Sequence, residues 1–304
     1  MDELGPAILG AQIAVLIGGF GFAAFADWRD REVSDHLWQV MGALGLVLGV
    51  WLFSSGGILP VAIWVLVGGF TLQHMFAWTF GPRFERFEDL FDLALYLFVI
   101  IVVALASIRY GVGSSAVPYA VIALLVTVLF ARAAFEAGLL FGGADAKALM
   151  IAGILIPVYS SPLLYAPMAV VRVNSILPFP LSVLMDAALF SAAIPIAVVA
   201  RNAYRGELNG WKSFTGYTIP VRELPQRYVW IRNPMSRDAR AEEEEIETSE
   251  QDRQRRVRVA RELAERGVER VWVTPQIPYL VLLAIGVVTA LLAGNLVVDL
   301  FTLI

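Results

Sequence analysis

Eight long apolar stretches dominate the chain, and they constrain its fold more than any other feature. They run over about 6–26, 37–53, 59–80, 91–109, 117–138, 146–168, 180–200 and 276–300. A membrane-spanning helix needs roughly 20 consecutive apolar residues, so each stretch reads as a membrane helix. Composition agrees: of 304 residues 58% are hydrophobic and only 16% are charged, against about 25% charged in an ordinary soluble domain. The first stretch begins too close to Met1, and lacks the basic flank, to be a cleavable signal peptide. The expected fold is an all-α polytopic membrane protein of about eight transmembrane helices. A small β-containing insert precedes the last of them. The domain reading is a membrane domain at 1–200, a soluble insert at 201–274 and a last helix at 275–304.

Lysine and arginine set the expected orientation. With both termini outside, the short inner loops hold Arg29, Arg31, Arg83, Arg86 and Lys147, and the outer loops hold only Arg109 and Arg172. Basic residues favour the cytoplasmic side. The insert, with fifteen basic and thirteen acidic residues, then also lies in the cytoplasm. Its segments Phe214–Val221, Arg227–Arg232 and Val268–Thr274 are rich in Val, Ile, Tyr, Trp and Thr and read as short strands. Residues 237–266 read as a charged helix or a partly disordered arm, with Glu242–Glu245 followed by the basic run Arg253–Arg258. The net charge of −4 argues against nucleic acid as a partner.

The available chemistry is narrow. There is no cysteine, so no thiol nucleophile and no thiolate metal site. The two histidines, His36 and His74, are far apart and outside any HExxH pattern. His74 reads as an interior side chain and His36 as a surface one. Carboxylates at the helix ends remain. Asp27 closes a helix running inward, and Asp145 opens one running outward. They are separated by 118 positions but share one expected depth, at the inner membrane edge. Alone, Asp145 reads as a helix cap and Asp27 as an interfacial charge neutralised by Arg29 or Arg31. Together they read as a carboxylate pair able to share one proton and activate water. Gly142 and Gly143 leave room for a substrate backbone beside Asp145.

Three segments carry a family resemblance. They are Asp27-Trp28-Arg29-Asp30-Arg31-Glu32-Val33-Ser34-Asp35, Gly142-Gly143-Ala144-Asp145-Ala146-Lys147 and Trp272-Val273-Thr274-Pro275-Gln276-Ile277-Pro278. The chain resembles the archaeal preflagellin and type IV prepilin peptidases, the GxGD class of intramembrane aspartic proteases. The second segment resembles their GxGDxK motif, with Ala144 where the strict motif has glycine. The resemblance implies catalytic Asp27 and Asp145, supported by Gly142, Gly143 and Lys147, and no metal or cofactor. It implies protein substrates, pre-archaellin or pilin-like precursors, cut after a short basic leader at the cytoplasmic face. Preflagellin enzymes of this class have six spans, against the eight counted here. Bacterial relatives carry a cysteine-rich region and methylate the new amino terminus. The lack of cysteine here implies peptidase activity only.

Two other readings stay open. A transporter would use Asp186, Glu136 and Arg132 as a path, although no inverted repeat is visible. A metal-dependent phosphotransferase would gather Mg²⁺ on Asp27, Asp30 and Asp145. The simpler reading is that Asp186 makes a structural hydrogen bond to a neighbouring helix. Arg132 and Glu136, four apart, pair with each other. Asp30, Glu32 and Asp35 are read as exposed turn and cap residues, and Glu136 as a second neighbour of Asp145.

Overall fold

The computed structural model describes residues 4–80, 116–140, 142–159, 177–231 and 249–302, with single positions between 97 and 108 and at 163. The stretch 91–109 therefore lies almost wholly outside the described residues. The chain divides into two compact units: Met1–Phe25 with Val33–Ala188 and Tyr279–Ile304, and Ala26–Glu32 with Leu189–Pro278.

The first unit is helical. Helix α1 (Leu4–Asp30) runs from it into the second unit; α2 (Asp35–Phe53), α3 (Ile58–Phe80), α4 (Ala116–Glu136) and α5 (Gly143–Leu155) lie within it. So do α9 (Tyr279–Leu292) and α10 (Leu296–Thr302), while α6 (Phe179–Ser191) runs from the first unit into the second at Leu189. Among the described residues, five helical stretches are long and apolar enough to cross a membrane: Gly5–Asp30, Asp35–Gly56, Ile58–Met75, Pro118–Glu136 and Phe179–Tyr204. Tyr279–Leu292 is apolar but shorter.

Three expected spans contain a break. In the stretch 146–168, α5 ends at Leu155, because Ile156 leaves the helix (φ −138°, ψ 88°) ahead of Pro157; residues 160–162 and 164–168 lie outside the described ones. A residue before proline is pushed out of the helical region by the proline ring. The stretch 180–200 is two helices, α6 and α7 (Ala193–Tyr204), joined at Ala192. Pro195 has no N–H to donate, and its ring crowds the carbonyl four residues earlier. The stretch 276–300 breaks between α9 and α10, where Gly294 takes a positive φ of 82°.

Helix α5 is buried on all sides: Ala146, Ala148, Leu149, Met150, Ile151, Ala152, Ile154 and Leu155 are all inaccessible. It packs on α2, α4 and α9. Small residues permit the close approach. A β-carbon on Gly42 of α2 would meet Ile151 at 2.8 Å, and one on Gly45 would meet Ile154 at 3.0 Å. Some buried polar side chains find partners within the unit. Asp186 of α6 accepts from the N–H of Leu296 at 2.9 Å, and Asn295 donates to Ser182 at 3.3 Å. The Leu296 bond, together with the Val298 N–H donating to Asn295 Oδ1 at 3.1 Å, caps α10 where the chain restarts a helix. Arg132 and Glu136 pair at 2.7 Å. His74 is buried and stacks on Phe70, with ring centroids 5.9 Å apart.

The second unit holds α7 and a three-stranded antiparallel sheet in the order β1-β3-β2. The strands are β1 (Tyr217–Pro220), β2 (Val229–Ile231) and β3 (Arg270–Pro275). Tyr217 opposes Val273, and Val229 opposes Pro275. β1 and β2 fall inside segments read as strands, and β3 overlaps the third and runs one residue past it, to Pro275. The charged stretch is helical over α8 (Ser249–Glu265); residues 232–248 lie outside the described ones. Ala260 and Leu263 of α8 join Ile219, Val221, Leu224, Val229, Ile231 and Val273 in a small core.

Candidate active site

Asp145 sits in the first turn of α5 and is buried. Gly142, not Asp145, is the residue that caps this helix; it has extended backbone (φ −115°, ψ 134°) and no capping side chain. The Asp145 N–H donates to the Gly142 carbonyl at 3.1 Å. The carboxyl group therefore stands at the positive end of the helix dipole, where negative charge is favoured. Gly142 lies against it: a β-carbon there would stand 3.1 Å from Asp145 Oδ2. The space beside Gly143 is open. The two glycines thus differ, and only the first is tied to the carboxylate.

Lys147 is buried two residues further on, and its ammonium reaches Asp35 Oδ1 at 2.5 Å. Asp35 opens α2 behind Ser34, whose side chain accepts from the His36 N–H at 3.3 Å. Asp35 is thus not a freely exposed cap. It is half-buried and neutralises a buried lysine 112 positions away. Glu136, expected near Asp145, is mostly exposed and paired with Arg132.

Asp27 lies in the last turns of α1, half-buried, in the second unit. Its carbonyl accepts from the Arg31 N–H at 3.2 Å, and Arg31 ends the helix in the left-handed region at φ 58°. The Arg31 guanidinium stands 5.2 Å from the centre of the Tyr228 ring, while Arg256 stands 5.3 Å from it. Burial holds the Arg31 guanidinium below its ordinary pKa; Asp27 and then Tyr228 oppose that shift. Arg256 also pairs with Asp252, which accepts from the Gln276 side chain at 3.1 Å. Tyr228 escaped the sequence reading, since nothing in its own neighbourhood marks it. Asp27 and Asp145 fall in different units, so the structure groups the supporting residues around each separately.

Residues 209–296 match the family model described as Archaeal Peptidase A24 C-terminus Type II. The whole chain is similar to the preflagellin peptidase of Methanocaldococcus jannaschii, 25% identical over 301 residues that cover 95% of this chain and 97% of that protein. It is also similar to the preflagellin peptidase of Methanococcus maripaludis, 21% identical over 294 residues, or 95% and 98% of the two chains. The family match takes in the sheet of the second unit and the last apolar helix, and the relatives align nearly end to end. The chain is thus similar nearly end to end to preflagellin peptidases, and its residues 209–296 match the C-terminal model of an archaeal peptidase family.

Proposed function

We propose that this protein is a membrane-embedded aspartic endopeptidase. It removes the short basic leader of pre-archaellin or type IV pilin-like precursors at the cytoplasmic face of the membrane. The observation that carries the reading is Asp145: a buried carboxylate in the first turn of a buried helix, with a glycine against it, in a chain similar to preflagellin peptidases. Asp27, at the inner end of α1, is its partner. The excess of Lys and Arg in the loops on one side supports the cytoplasmic placement.

The chemistry follows from two carboxyl groups sharing one proton. Two such groups in a site of low dielectric resist ionising together, and they titrate as a unit. The ionised group takes a proton from water as the water oxygen attacks the scissile carbonyl. The protonated group donates a hydrogen bond to that carbonyl oxygen. Collapse of the tetrahedral intermediate breaks the C–N bond, and the proton passes to the leaving amine. Gly142 keeps the Asp145 carboxylate free of a crowding side chain.

The residues a transport path would use have structural partners instead: Asp186 caps α10, and Arg132 pairs with Glu136. The test is co-expression with leader-bearing precursors and sizing of the product. Asp27→Asn and Asp145→Asn should each abolish cleavage with an unchanged unfolding temperature. Cleavage retained by either variant would refute the assignment.

A further inference from the structure

The described surface of the second unit carries an aromatic and apolar patch that the peptidase reading does not use. Helix α7 ends at Tyr204, the last residue of the candidate span Phe179–Tyr204, and Tyr204 is 93% exposed. The chain turns at Gly206 (φ 67°) and enters a short 3₁₀ turn, Gly210–Phe214. Trp211 in that turn is 86% exposed, and Leu208 and Phe214 are exposed beside it. The Trp211 and Phe214 rings lie against each other, with centroids 5.5 Å apart. Arg205 and Lys212, both exposed, flank the group.

The loop has a built conformation. Asn202, buried in the last turn of α7, donates through Nδ2 to the carbonyls of Ser213 at 3.0 Å and Gly216 at 2.8 Å. The Ser213 hydroxyl accepts from the Asn209 N–H at 2.6 Å. One amide side chain thus fastens the aromatic turn to the end of the span. The turn is fixed while its large apolar side chains point outward. Such exposure is costly in water.

We propose that Tyr204, Leu208, Trp211 and Phe214 are a membrane-surface anchor of the second unit. They enter the headgroup–acyl boundary of the leaflet where the span Phe179–Tyr204 ends, with Arg205 and Lys212 on anionic phospholipid. Continuity with the span selects lipid as the partner. The patch begins at the span's last residue and is fastened within one helical turn of it, so it stands at headgroup depth. Tryptophan and tyrosine favour that depth, because their rings are part apolar and part polar. A short amphipathic segment with cations at its rim binds such a surface. The inference needs a membrane-spanning chain and does not depend on the peptidase reading.

The absence of cysteine makes a single thiol a clean probe. Trp211→Cys and, as a control on exposed α8, Arg258→Cys carry an environment-sensitive fluorophore in nanodiscs containing anionic phospholipid. A nitroxide on the lipid headgroup should quench the label at position 211 several-fold more than the label at 258, and aqueous iodide should do the reverse. Equal iodide quenching at both positions would overturn the anchor. So would a label at 211 shielded from both quenchers, which would mean a protein partner, such as the precursor itself, covers the patch. The labelled variants should unfold at the same temperature as the parent, since neither side chain is in the core.

Discussion

The hydroxyl of Tyr228 donates a hydrogen bond to the main-chain carbonyl of Arg29 at 3.3 Å, across 199 residues of sequence. It ties the sheet of the second unit to the last turn of α1, the turn that carries Asp27. The same ring lies between two guanidinium groups, Arg31 and Arg256. The Tyr228 carbonyl in turn accepts from the Gln276 N–H at 3.1 Å, at the end of β3. The insert is therefore more than a solvated charged segment. Tyr228, next to β2, holds the main chain of the helix turn that carries Asp27.

Substitutions at Tyr228 should divide these contributions. Tyr228→Phe keeps the ring and loses only the hydrogen bond, worth about 1 kcal/mol. That corresponds to roughly a fivefold loss of kcat if it all serves to hold Asp27. Tyr228→Ala also removes both cation–π contacts, each about 0.5–2 kcal/mol, and should cost more. The measure is cleavage of a precursor under saturating conditions, with KM followed separately. Equal activity of the Phe and Ala variants would argue against the ring as the support.

Arg31 offers an opposed pair of readouts. Its left-handed backbone costs a non-glycine residue about 1–2 kcal/mol. Arg31→Gly relieves that strain and removes the guanidinium beside Asp27. Cleavage should fall while the unfolding temperature holds or rises. A fall in both would mean that the guanidinium chiefly holds the fold together.

The glycines before Asp145 should separate by position. Gly142 has an extended backbone that alanine also adopts, so an alanine there is penalised by contact and not by conformation. The added carbon would stand 3.1 Å from Asp145 Oδ2. Crowding of this kind costs about 1–3 kcal/mol, and Gly142→Ala should lose about tenfold or more in cleavage rate. Gly143→Ala meets open space and should retain most activity. Equal losses would show that flexibility, not room for the carboxylate, is what the segment supplies.

The elements legible in the sequence are those whose cause is local. The apolar runs became α1 to α4, and the Val, Ile and Trp clusters of the insert became β1 to β3. Apolar runs break where one residue overrides them: Pro157 after α5 and Gly294 after α9, with Pro195 interrupting the helix inside the span Phe179–Tyr204. Their side chains are as apolar, or as small, as their neighbours, so hydropathy does not register them. What stayed hidden was long-range pairing. Tyr228 with Arg29, and Asp35 with Lys147, join residues whose own surroundings give no hint of the partner. Only the shared depth expected of Asp35 and Lys147 from the loop charges is a usable signal.

The Asp35–Lys147 pair should behave as a unit. Lys147 is buried, so removing Asp35 takes a carboxylate partner from a buried ammonium in the first unit. Breaking one side of a buried pair costs about 3–5 kcal/mol. Asp35 is one-third exposed at the side chain, which screens the charge and places the cost toward the lower end. Asp35→Leu should therefore lower the unfolding temperature in detergent more than the double variant Asp35→Leu/Lys147→Met. A double variant no more stable than the single one would mean that Lys147 finds another partner.

Asp186 tests the separation between structure and catalysis. Its carboxylate is fully buried and caps α10 through the Leu296 N–H. Asp186→Ala leaves that donor without its acceptor in an apolar setting and should cost about 1–2 kcal/mol of stability. Asp186→Asn keeps an acceptor oxygen and should cost less. Neither change touches Asp27, Asp145 or their supports, so the folded fraction of each variant should cleave the precursor at the parent rate. Unfolding curves and cleavage per folded molecule separate the two effects. A loss of cleavage in fully folded Asp186→Asn would give that carboxylate a role in the reaction and would revive a functional path through α6.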